Sequence, residues 1–399
     1  MRNMESVGLS RHRVRYESFG GILSSTDPPF LAWVDRTFLR DAGYEESPLW
    51  HTDDPGYLSA PTEAHFSITE KCSSGCAGCY MDSCGETAVD LSLEEVKAVL
   101  DTLRAMGVFH VALGGGEAFE RPDFEDIAAY CREIGLVPNL TTNGQRMGDR
   151  EIGICRMMGQ VNVSLDGLES HYGVNGRAGS FERADQALRK LRAAGIAAGI
   201  NCVVSVKNYS HIKDIAEYAC TRGLAEIEFL KYKPSGRGKD RYPDFALSQE
   251  MIRSFYPRIQ EIAASLPVEI KIDCSFIPAM MYHHPPLEEL EKWAVAGCDG
   301  GNMLLGIRSS GVFSACSFIS NNDAESALSL KTHWHTSAHL SRFRRWTQNP
   351  PEPCASCTYL TICRGGCRAV ALYYNHDFSS PDPECPFVYD YMCCKGALK

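Results

Sequence analysis

Three cysteines stand close together in the segment EKCSSGCAGCY, residues 70–80. Cys72, Cys76 and Cys79 have the spacing C-x3-C-x2-C, and Tyr80 directly follows the last of them. A structural zinc site takes four protein ligands, whereas clustered thiolates are typical ligands of iron–sulfur clusters. Three thiolates on a cube of four irons would leave one iron open to a substrate or cofactor. The segment therefore predicts a catalytic iron–sulfur site, with a zinc site completed by a distant residue as the alternative.

A second, larger set of cysteines lies near the C-terminus, in a region of short segments rich in Gly and Pro. Its spacing is C-x12-G-x4-C, then C-x2-C-x5-C-x3-C, then one further cysteine. Such ordered spacing in a chain without an export signal indicates metal ligands rather than a disulfide framework. The set consists of Cys298, Cys316, Cys354, Cys357, Cys363, Cys367 and Cys385.

The composition limits the classes of function. The chain has 399 residues, of which 44% are hydrophobic and 23% charged, as in a globular protein of two or three domains. Its formal net charge of −10 argues against nonspecific nucleic-acid binding, which needs a basic surface. No apolar run approaches the ~18 residues of a membrane span, and the N-terminus lacks a signal-peptide pattern. We therefore expect a cytoplasmic protein without a membrane or nucleic-acid partner.

An alternation of strands and helices begins near residue 64 and positions the first cysteine segment. Six such units in a row imply parallel strands joined by right-handed crossovers, in an open, partial (β/α)6 barrel of the α/β class. In such barrels the chemistry lies on the loops that follow the strands, and the first cysteine segment follows the first strand. The strands are predicted at AHFSIT, FHVALGG, VPNLTT, QVNVSL, AAGINCVVSV and EIEFLKYK.

The same patterns divide the chain into four parts. An N-terminal extension, 1–60, reads as a strand, a turn around DPP and a helix, and serves substrate docking or caps the barrel. The partial barrel is expected at 61–240, and a bridging helix and linker at 241–296. A small α+β domain that binds metal through its cysteines is expected at 297–399.

The first cysteine segment, in this position, resembles the radical S-adenosylmethionine (SAM) superfamily. The resemblance implies that Cys72, Cys76 and Cys79 hold a 4Fe–4S cluster whose open iron binds the amino and carboxylate groups of SAM. An electron from the reduced cluster then cleaves SAM, and the resulting 5′-deoxyadenosyl radical abstracts a hydrogen atom from a substrate. The electron is expected to come from an external reductant such as flavodoxin or ferredoxin.

The ends of the later strands carry residues that the resemblance assigns to SAM. LGGGEAF, after the second strand, is similar to the family's GGE motif, in which Gly115, Gly116 and the catalytic Glu117 hold the methionyl amine. Glycines allow a close backbone approach, and a carboxylate suits an ammonium group. Taken alone, the other segments would read as ordinary turns or a solvated basic loop. The further residues expected to contact SAM are Tyr80, Asn143, Ser164, Asp166, Lys231 and Arg237.

The C-terminal cysteine pattern resembles the SPASM domain of radical SAM enzymes, which holds two auxiliary iron–sulfur clusters; a pair of zinc ribbons is the alternative. The second of these clusters has only three evident ligands, because the extra cysteine of some relatives is missing. Cys274, Asp299 or a tail cysteine could complete it, or it could be open to substrate or smaller. The resemblance assigns Cys354, Cys357, Cys363 and Cys385 to one cluster, and Cys298, Cys316 and Cys367 to the other.

Relatives with this pair of domains include maturases of pyrroloquinoline quinone and mycofactocin precursors, and most act on ribosomally made peptides. The resemblance therefore implies post-translational modification of a peptide or protein. One alternative is a radical SAM dehydrogenase or epimerase of a small molecule such as a sugar or aminocyclitol. A second is an iron–sulfur electron carrier without turnover. Cys84, Cys393 or Cys394 could donate a hydrogen atom to a substrate radical.

Overall fold

The computed structural model describes residues 12–83, 90–169, 175 and 179–396. Its first part is an antiparallel sheet of three strands, followed by a short helix. Both turns of the sheet are two residues long, because Glu17 pairs with Gly20 and Thr26 with Pro29. Two hairpins thus replace the single strand and turn that the sequence suggested, since the change of direction at SFGG was not recognised. The elements are β1 (Arg13–Glu17), β2 (Gly20–Thr26), β3 (Pro29–Asp35) and α1 (Arg36–Asp41).

A sheet of nine strands forms the centre of the molecule, in the order β10-β9-β8-β7-β6-β5-β4-β11-β12. All neighbouring strands are parallel except the antiparallel pair β11–β12. The sheet stays open, with β10 and β12 at its edges. The strands are β4 (Glu63–Thr69), β5 (His110–Gly115), β6 (Val137–Thr142), β7 (Gln160–Ser164), β8 (Ala198–Val204), β9 (Glu226–Lys231), β10 (Glu269–Ile272), β11 (Leu304–Ile307) and β12 (Phe313–Ser314).

Amphipathic helices cover one face of this sheet and enclose the main core. The helix after β4 begins at Ser92, whose side chain and that of Glu95 form a reciprocal capping box, and it ends at Gly107 in the left-handed conformation, as its sequence predicts. None of the helices in the described part of the chain has the length and apolar character of a membrane span. The first helices of the barrel are α2 (Leu93–Met106), α3 (Phe124–Glu133), α4 (Asp149–Cys155), α5 (Ser180–Ala193) and α6 (Ile212–Arg222).

The remaining helices have at most nine residues, apart from α8 with 17, and most lie in the C-terminal region. Helix α8 carries Pro257 in its interior and packs Phe255 face to face on Phe276, with ring centroids 3.7 Å apart. These helices are α7 (Tyr242–Phe245), α8 (Gln249–Ser265), α9 (Ile277–Met281), α10 (Leu287–Lys292), α11 (Leu330–His333), α12 (Ala338–Arg344), α13 (Leu360–Cys363), α14 (Arg368–Asn375) and α15 (Pro386–Cys394).

The sheet extends beyond the six predicted strands at both ends. β10, from the segment expected to be a linker, is a further parallel strand beside β9. β11, from the cysteine-rich region, pairs in parallel with β4 at the opposite end. Both strands have only four residues, too few for a clear alternation of apolar and polar residues. The cysteine-rich region therefore shares one sheet with the barrel.

The face of the sheet away from the helices is polar. Asn139 Nδ2 lies 3.3 Å from His110 Nδ1, and Asn162 donates to Asn201 Oδ1 at 2.7 Å and to Glu226 Oε1 at 3.2 Å. Since side chains alternate across a strand, apolar residues on the same strands point to the helices. The concave side of the partial barrel thus offers hydrogen-bonding groups instead of a closed apolar core.

A buried ion pair joins the barrel to the C-terminal region. Lys231 Nζ lies 2.5 Å from Glu384 Oε2, with both side chains almost inaccessible to solvent, and Tyr242 donates to Glu384 Oε1 at 2.6 Å. Burial alone would lower the pKa of Lys231, but Glu384 and Asp382 outweigh it and raise that pKa above its usual value. The ammonium group is therefore held in its charged form between the two regions.

We expect Glu384→Gln to destabilise the protein strongly, because it leaves the Lys231 ammonium buried without a counter-charge. Removing one partner of a buried pair costs about 3–5 kcal/mol in the free energy of unfolding. The double variant Lys231→Met/Glu384→Leu should recover most of that loss. Urea denaturation followed by circular dichroism measures both effects.

The exposed pair Arg241–Asp244 provides the matched control. Asp244→Asn should change the unfolding free energy by at most ~1 kcal/mol, because exposed pairs contribute little. If Glu384→Gln proved no more destabilising than Asp244→Asn, the bridging role of Lys231 would be wrong.

Candidate active site

The segment with the first three cysteines follows β4 and packs directly on the end of β5. Gly116 N donates to Thr69 O at 2.7 Å, and Glu117 N donates to Lys71 O at 2.9 Å. A Cβ atom on Gly116 would lie 2.0 Å from Lys71 O, and Gly115 adopts a φ of +109°. The two backbones therefore approach more closely than any side chain would allow.

Glu117 projects from the end of β5 into a buried position that hydrogen bonds define. Its Oε1 accepts from Thr142 Oγ1 at 2.8 Å, and its Oε2 accepts from the backbone N–H of Asn143 at 2.9 Å. Burial raises the pKa of Glu117, while these hydrogen bonds oppose the shift. Burial also raises the pKa of Cys72, and the nearby Glu117 carboxylate raises it further. The carboxylate thus lies close to the first cysteine of the segment.

The end of β6 contributes amide groups that hold the cysteine segment. Asn143 Nδ2 and Gln145 Nε2 both donate to Ser74 Oγ, at 2.8 and 2.6 Å. Ser74 lies between Cys72 and Cys76, so the amides fix the segment between these two thiols. Sequence reasoning selected Asn143 but missed Ser74 and Gln145. The only available signal for Gln145 was its position directly after the TTNG turn.

The end of β7 provides Ser164 and Asp166 at the same edge of the sheet. Ser164 is partly exposed there, whereas Asp166 is buried and accepts from Val203 N at 2.8 Å. Burial raises the pKa of Asp166 to about 6, despite hydrogen bonds from Val203 and Asn175. Asp166 therefore also ties β7 to β8.

The loop after β9 binds the cysteine segment from the other side through hydrogen bonds. Arg237 donates to the backbone carbonyl of Cys76 at 3.3 Å and to Asp82 Oδ1 at 2.9 Å. Gly236, with φ of +54°, allows the loop to pass against the backbone of Tyr80, whose oxygen accepts from Ser235 Oγ at 2.9 Å. Arg237, one of the residues predicted to contact SAM, thus binds the cysteine segment through these hydrogen bonds. Lys231 instead pairs with Glu384, as described above.

Tyr80 connects the first cysteine segment to the C-terminal region. Its ring centroid lies 5.0 Å from that of Phe318, two residues after Cys316. Although 37% of Tyr80 is exposed, desolvation of its phenol raises its pKa to about 12, with further contributions from the thiols of Cys79 and Cys316. One side chain therefore borders both groups of cysteines.

Four C-terminal cysteines line one narrow cavity. The thiols of Cys354 and Cys385 raise the pKa of Cys363, in addition to the larger effect of its burial. No three His, Cys, Asp or Glu side chains within the described ranges are arranged to hold a single metal ion. Four thiols in an otherwise apolar cavity are the donor set of an iron–sulfur cluster. The lining residues include Cys354, Cys357, Cys363, Cys385, Pro278, Met281, Leu360, Phe387 and Val388.

The other three C-terminal cysteines form a separate group. Burial raises the pKa of Cys316 to about 12, and the thiols of Cys298 and Cys367 raise it further. Cys316 thus lies near Cys298 and Cys367, the other two cysteines of this group. Cys393 and Cys394 are exposed at the end of α15, and Cys84 lies outside the described residues.

We expect Gly116→Ala to destabilise the apoprotein by about 1–3 kcal/mol, the usual penalty for overpacking. The added methyl group would overlap Lys71 O and push the cysteine segment away from β5. Gly114→Ala is the matched control, since a Cβ atom there would meet nothing within 4 Å. Thermal unfolding of the two apoproteins compares them, and equal melting temperatures would contradict the proposed packing.

Comparison with known proteins agrees with this arrangement. Residues 66–219 match the Radical SAM superfamily. The chain is 30% identical over 339 residues to the mycofactocin maturase of Mycolicibacterium smegmatis. This alignment covers 82% of this chain and 83% of the relative. The chain is also 27% identical over 348 residues to the AdoMet-dependent heme synthase of Methanosarcina barkeri, which covers 82% of this chain and 97% of that enzyme.

A solved structure with the same fold is that of SuiB from Streptococcus suis bound to the precursor peptide SuiA. It matches with a TM-score of 0.74 at 17% identity, over 94% of this chain and 98% of the SuiB chain. This likeness confirms the predicted α/β fold with an open parallel sheet. From the family match and the 30% identity along most of both chains, we conclude that the chain belongs to the radical SAM superfamily, whose enzymes use a 4Fe–4S cluster and SAM.

Proposed function

We propose that this radical SAM enzyme modifies a ribosomally made precursor peptide by abstracting a hydrogen atom from it. The observation that carries the proposal is the 30% identity to a maturase along 82% of this chain, a share that the barrel alone does not account for. The two cysteine groups of the C-terminal region support it, because they match the domain that peptide maturases of this family carry.

In this proposal Cys72, Cys76 and Cys79 hold the catalytic cluster at the open end of the barrel. With SAM bound, the cluster would supply the electron for reductive cleavage of SAM, the chemistry that permits abstraction of a hydrogen atom from an unactivated position. The contribution of the protein is positioning and exclusion of water. The buried Glu117 carboxylate, held by Thr142 and Asn143, is suited to bind the methionyl ammonium group.

The remaining SAM-binding roles follow the ends of the strands. Gly115 and Gly116 present backbone groups without obstructing side chains, and Ser164 and Asp166 stand where the ribose hydroxyls are expected. Tyr80 and Asn143 would border the cofactor from the cysteine segment and from β6. Arg237 would act by holding the segment, since its guanidinium already binds the carbonyl of Cys76.

The polar concave side of the sheet is the proposed place for the reacting part of the peptide. His65 points toward it from β4, with its Nδ1 3.5 Å from Ser317 Oγ. Glu228 points toward it from β9, and burial, with a further contribution from Asp273, raises the pKa of its carboxyl group. These groups can bind polar parts of a substrate or hold a proton close to the reaction.

The two C-terminal cysteine groups are the proposed ligands of auxiliary iron–sulfur clusters. Cys354, Cys357, Cys363 and Cys385 would complete one cluster within their shared cavity. Cys298, Cys316 and Cys367 would bind the other cluster. This second site would be the nearer one to the barrel, since Tyr80 of the first cysteine segment borders Cys316. An external flavodoxin or ferredoxin is the proposed source of the electron that starts each turnover.

The N-terminal sheet is the proposed docking surface for the unmodified part of the precursor. β3 is an outer strand, paired only with β2 among the described residues, and its Phe30 and Trp33 are 39% and 45% exposed. An outer strand with free backbone groups can accept an extended peptide as an added strand. Arg15 fixes this sheet to the barrel by donating to Pro61 O and Gly107 O, at 2.8 and 3.1 Å.

A small-molecule substrate is the second candidate function. The 27% identity to an AdoMet-dependent heme synthase along 82% of this chain favours it, because that name describes action on a small molecule. Both candidates share the radical chemistry and differ in what reaches the polar side of the barrel. They can be distinguished by offering a precursor peptide encoded beside the gene.

We expect anaerobic incubation with SAM, dithionite and such a peptide to yield 5′-deoxyadenosine and a peptide of altered mass. Cys76→Ala should reduce both to background, because two thiolates cannot hold the cluster with its open iron in place. Liquid chromatography with mass spectrometry measures both products. Cys220→Ala is the matched control, since this cysteine lies on α6 outside the three proposed sites.

Two results would contradict parts of the proposal. Cleavage of SAM by Cys76→Ala would remove the catalytic assignment of the cysteine segment. Cleavage by the unaltered enzyme, together with a peptide that never changes mass, would instead favour the small-molecule candidate.

We expect Trp33→Ala to weaken binding of the precursor about tenfold, equivalent to ~1.4 kcal/mol, if β3 accepts the peptide. Fluorescence anisotropy with a labelled precursor measures the affinity. Trp293, the exposed C-cap residue of α10, provides the control. Trp293→Ala should leave the affinity for the precursor unchanged. Equal affinities for Trp33→Ala and the unaltered protein would exclude the β3 edge as the docking surface.

A further inference from the structure

Glu228 lies on the polar side of the sheet, at the same level as a residue expected to contact SAM. The strand pairing places Ser164, Asn201 and Glu228 side by side, on β7, β8 and β9. Neighbouring strands lie about 4.8 Å apart, so the backbone of Glu228 stands about 10 Å from that of Ser164. Ile227 and Phe229, on either side of Glu228 in the chain, are fully buried in the core. The alternation of side chains along β9 therefore directs Glu228 to the concave side.

The carboxylate of Glu228 has no partner in the part of the chain that the structure describes. Neither a hydrogen bond nor an ion pair from these residues reaches it, although its side chain is only partly accessible to solvent. Lys271 is in register with Glu228 on β10, but its ammonium group instead lies 2.5 Å from Glu226 Oε2. Desolvation, and to a smaller extent Asp273, raises the pKa of Glu228, as expected for a carboxylate without a counter-charge.

The other groups that could neutralise Glu228 are already paired. Lys233 forms an ion pair with Asp273, and His65 Nε2 lies 3.5 Å from Glu63 Oε1. Burying a carboxylate without a partner costs free energy that the folded chain does not recover. Ionisable groups in such surroundings are concentrated at functional sites, where a ligand provides the missing interaction. Glu228 therefore has the properties of a binding group and not those of a structural one.

The charges on this side of the sheet favour a positively charged ligand. In the strands from β4 to β11, carboxylates outnumber ammonium groups at the concave positions, and a cleft lined by one sign of charge concentrates ligands of the opposite sign. The ammonium group of SAM has its own expected partner in Glu117, which follows β5, four strands away from β9. The charged residues at the concave positions are Glu63, Glu226, Glu228 and Glu269, against Lys271.

We propose that Glu228 binds a positively charged side chain of the substrate peptide, a lysine or an arginine close to the residue that loses hydrogen. The inference rests on the proposed function, because it names one group of the peptide that enters the barrel. Lysine and arginine carry their charge at the tip of a long aliphatic stem. Such a side chain reaches Glu228 while the peptide backbone stays beside Ser164, and it supplies the counter-charge that Glu228 lacks.

A comparison of Glu228→Gln with Glu226→Gln separates a binding role from a structural one. Glu226 pairs with Lys271 and accepts from Asn162 at 3.2 Å, so Glu226→Gln should lower the melting temperature of the full-length protein. Glu228→Gln should leave the melting temperature unchanged or raise it, because it removes a partly buried charge that has no partner. A loss of stability equal to that of Glu226→Gln would overturn the proposal, since the carboxylate would then support the fold.

Binding of a cation is measured on the reconstituted full-length enzyme with SAM, with n-butylammonium as the probe and n-butanol as its uncharged counterpart. In isothermal titration calorimetry, Glu228→Gln should weaken binding of n-butylammonium about tenfold, the usual effect of losing a hydrogen bond to a charged group. Glu269→Gln should not, since the Glu269 side chain is 65% exposed on the edge strand β10. Equal affinities of the two variants for n-butylammonium, equal binding of n-butanol, or loss of SAM binding in Glu228→Gln would each overturn the proposal.

The peptide partner is identified by replacing each lysine and arginine of the precursor encoded beside the gene with glutamine. One replacement should raise KM of the unaltered enzyme and of Glu269→Gln about tenfold, yet have no further effect in Glu228→Gln, because both partners of the pair are then neutral. Independent effects of Glu228→Gln and of every replacement would overturn the proposal. An unaltered enzyme that modifies no peptide would refute the proposed function instead, and the titration with n-butylammonium would still decide whether Glu228 binds a cationic group.

Discussion

The close packing of two backbones, at the ends of β4 and β5, positions the other parts of the site. Lys71 and Gly116 approach so closely that only a glycine fits, and two hydrogen bonds connect the strands there. This contact sets where the cysteine segment leaves the sheet and where Glu117 stands beside Cys72. The ends of β6 and β9 then hold the same segment through Asn143 and Arg237. The residues that follow β5, β6 and β9 thus fix the cysteine segment through hydrogen bonds.

Buried charge is concentrated between the barrel and the cysteine-rich region. Burial raises the pKa of the cysteines there, because a low-dielectric interior disfavours thiolates. Lys233 and Arg368 oppose this effect, the first at Cys316 and Cys367 and the second at Cys298. The ammonium group of Lys233 is itself kept charged by Asp273. The interior therefore contains fixed positive charge where anionic clusters are proposed.

The order of motifs along the chain was enough to predict the barrel and the convergence of its loops. Each motif followed a strand with a clear apolar pattern, and parallel strands end at one edge of the sheet. The partner of Lys231 was not predictable, because Glu384 is distant in sequence and no local pattern points to it. β10 and β11 were missed for a related reason, since their four residues gain stability from their neighbours more than from their own sequence.

The pairing of β11 with β4 has a consequence for how such proteins diversify. The cysteine-rich region supplies the strand that covers the outer side of β4, the strand that leads into the catalytic cysteines. A chimera that exchanges this region between relatives would therefore also exchange the neighbour of the first barrel strand. Recombination at residue 297 would succeed only where the incoming strand matches the register of Leu304 with Glu63 and of Ile307 with Phe66. We therefore expect the cysteine-rich region and β4 to change together during evolution.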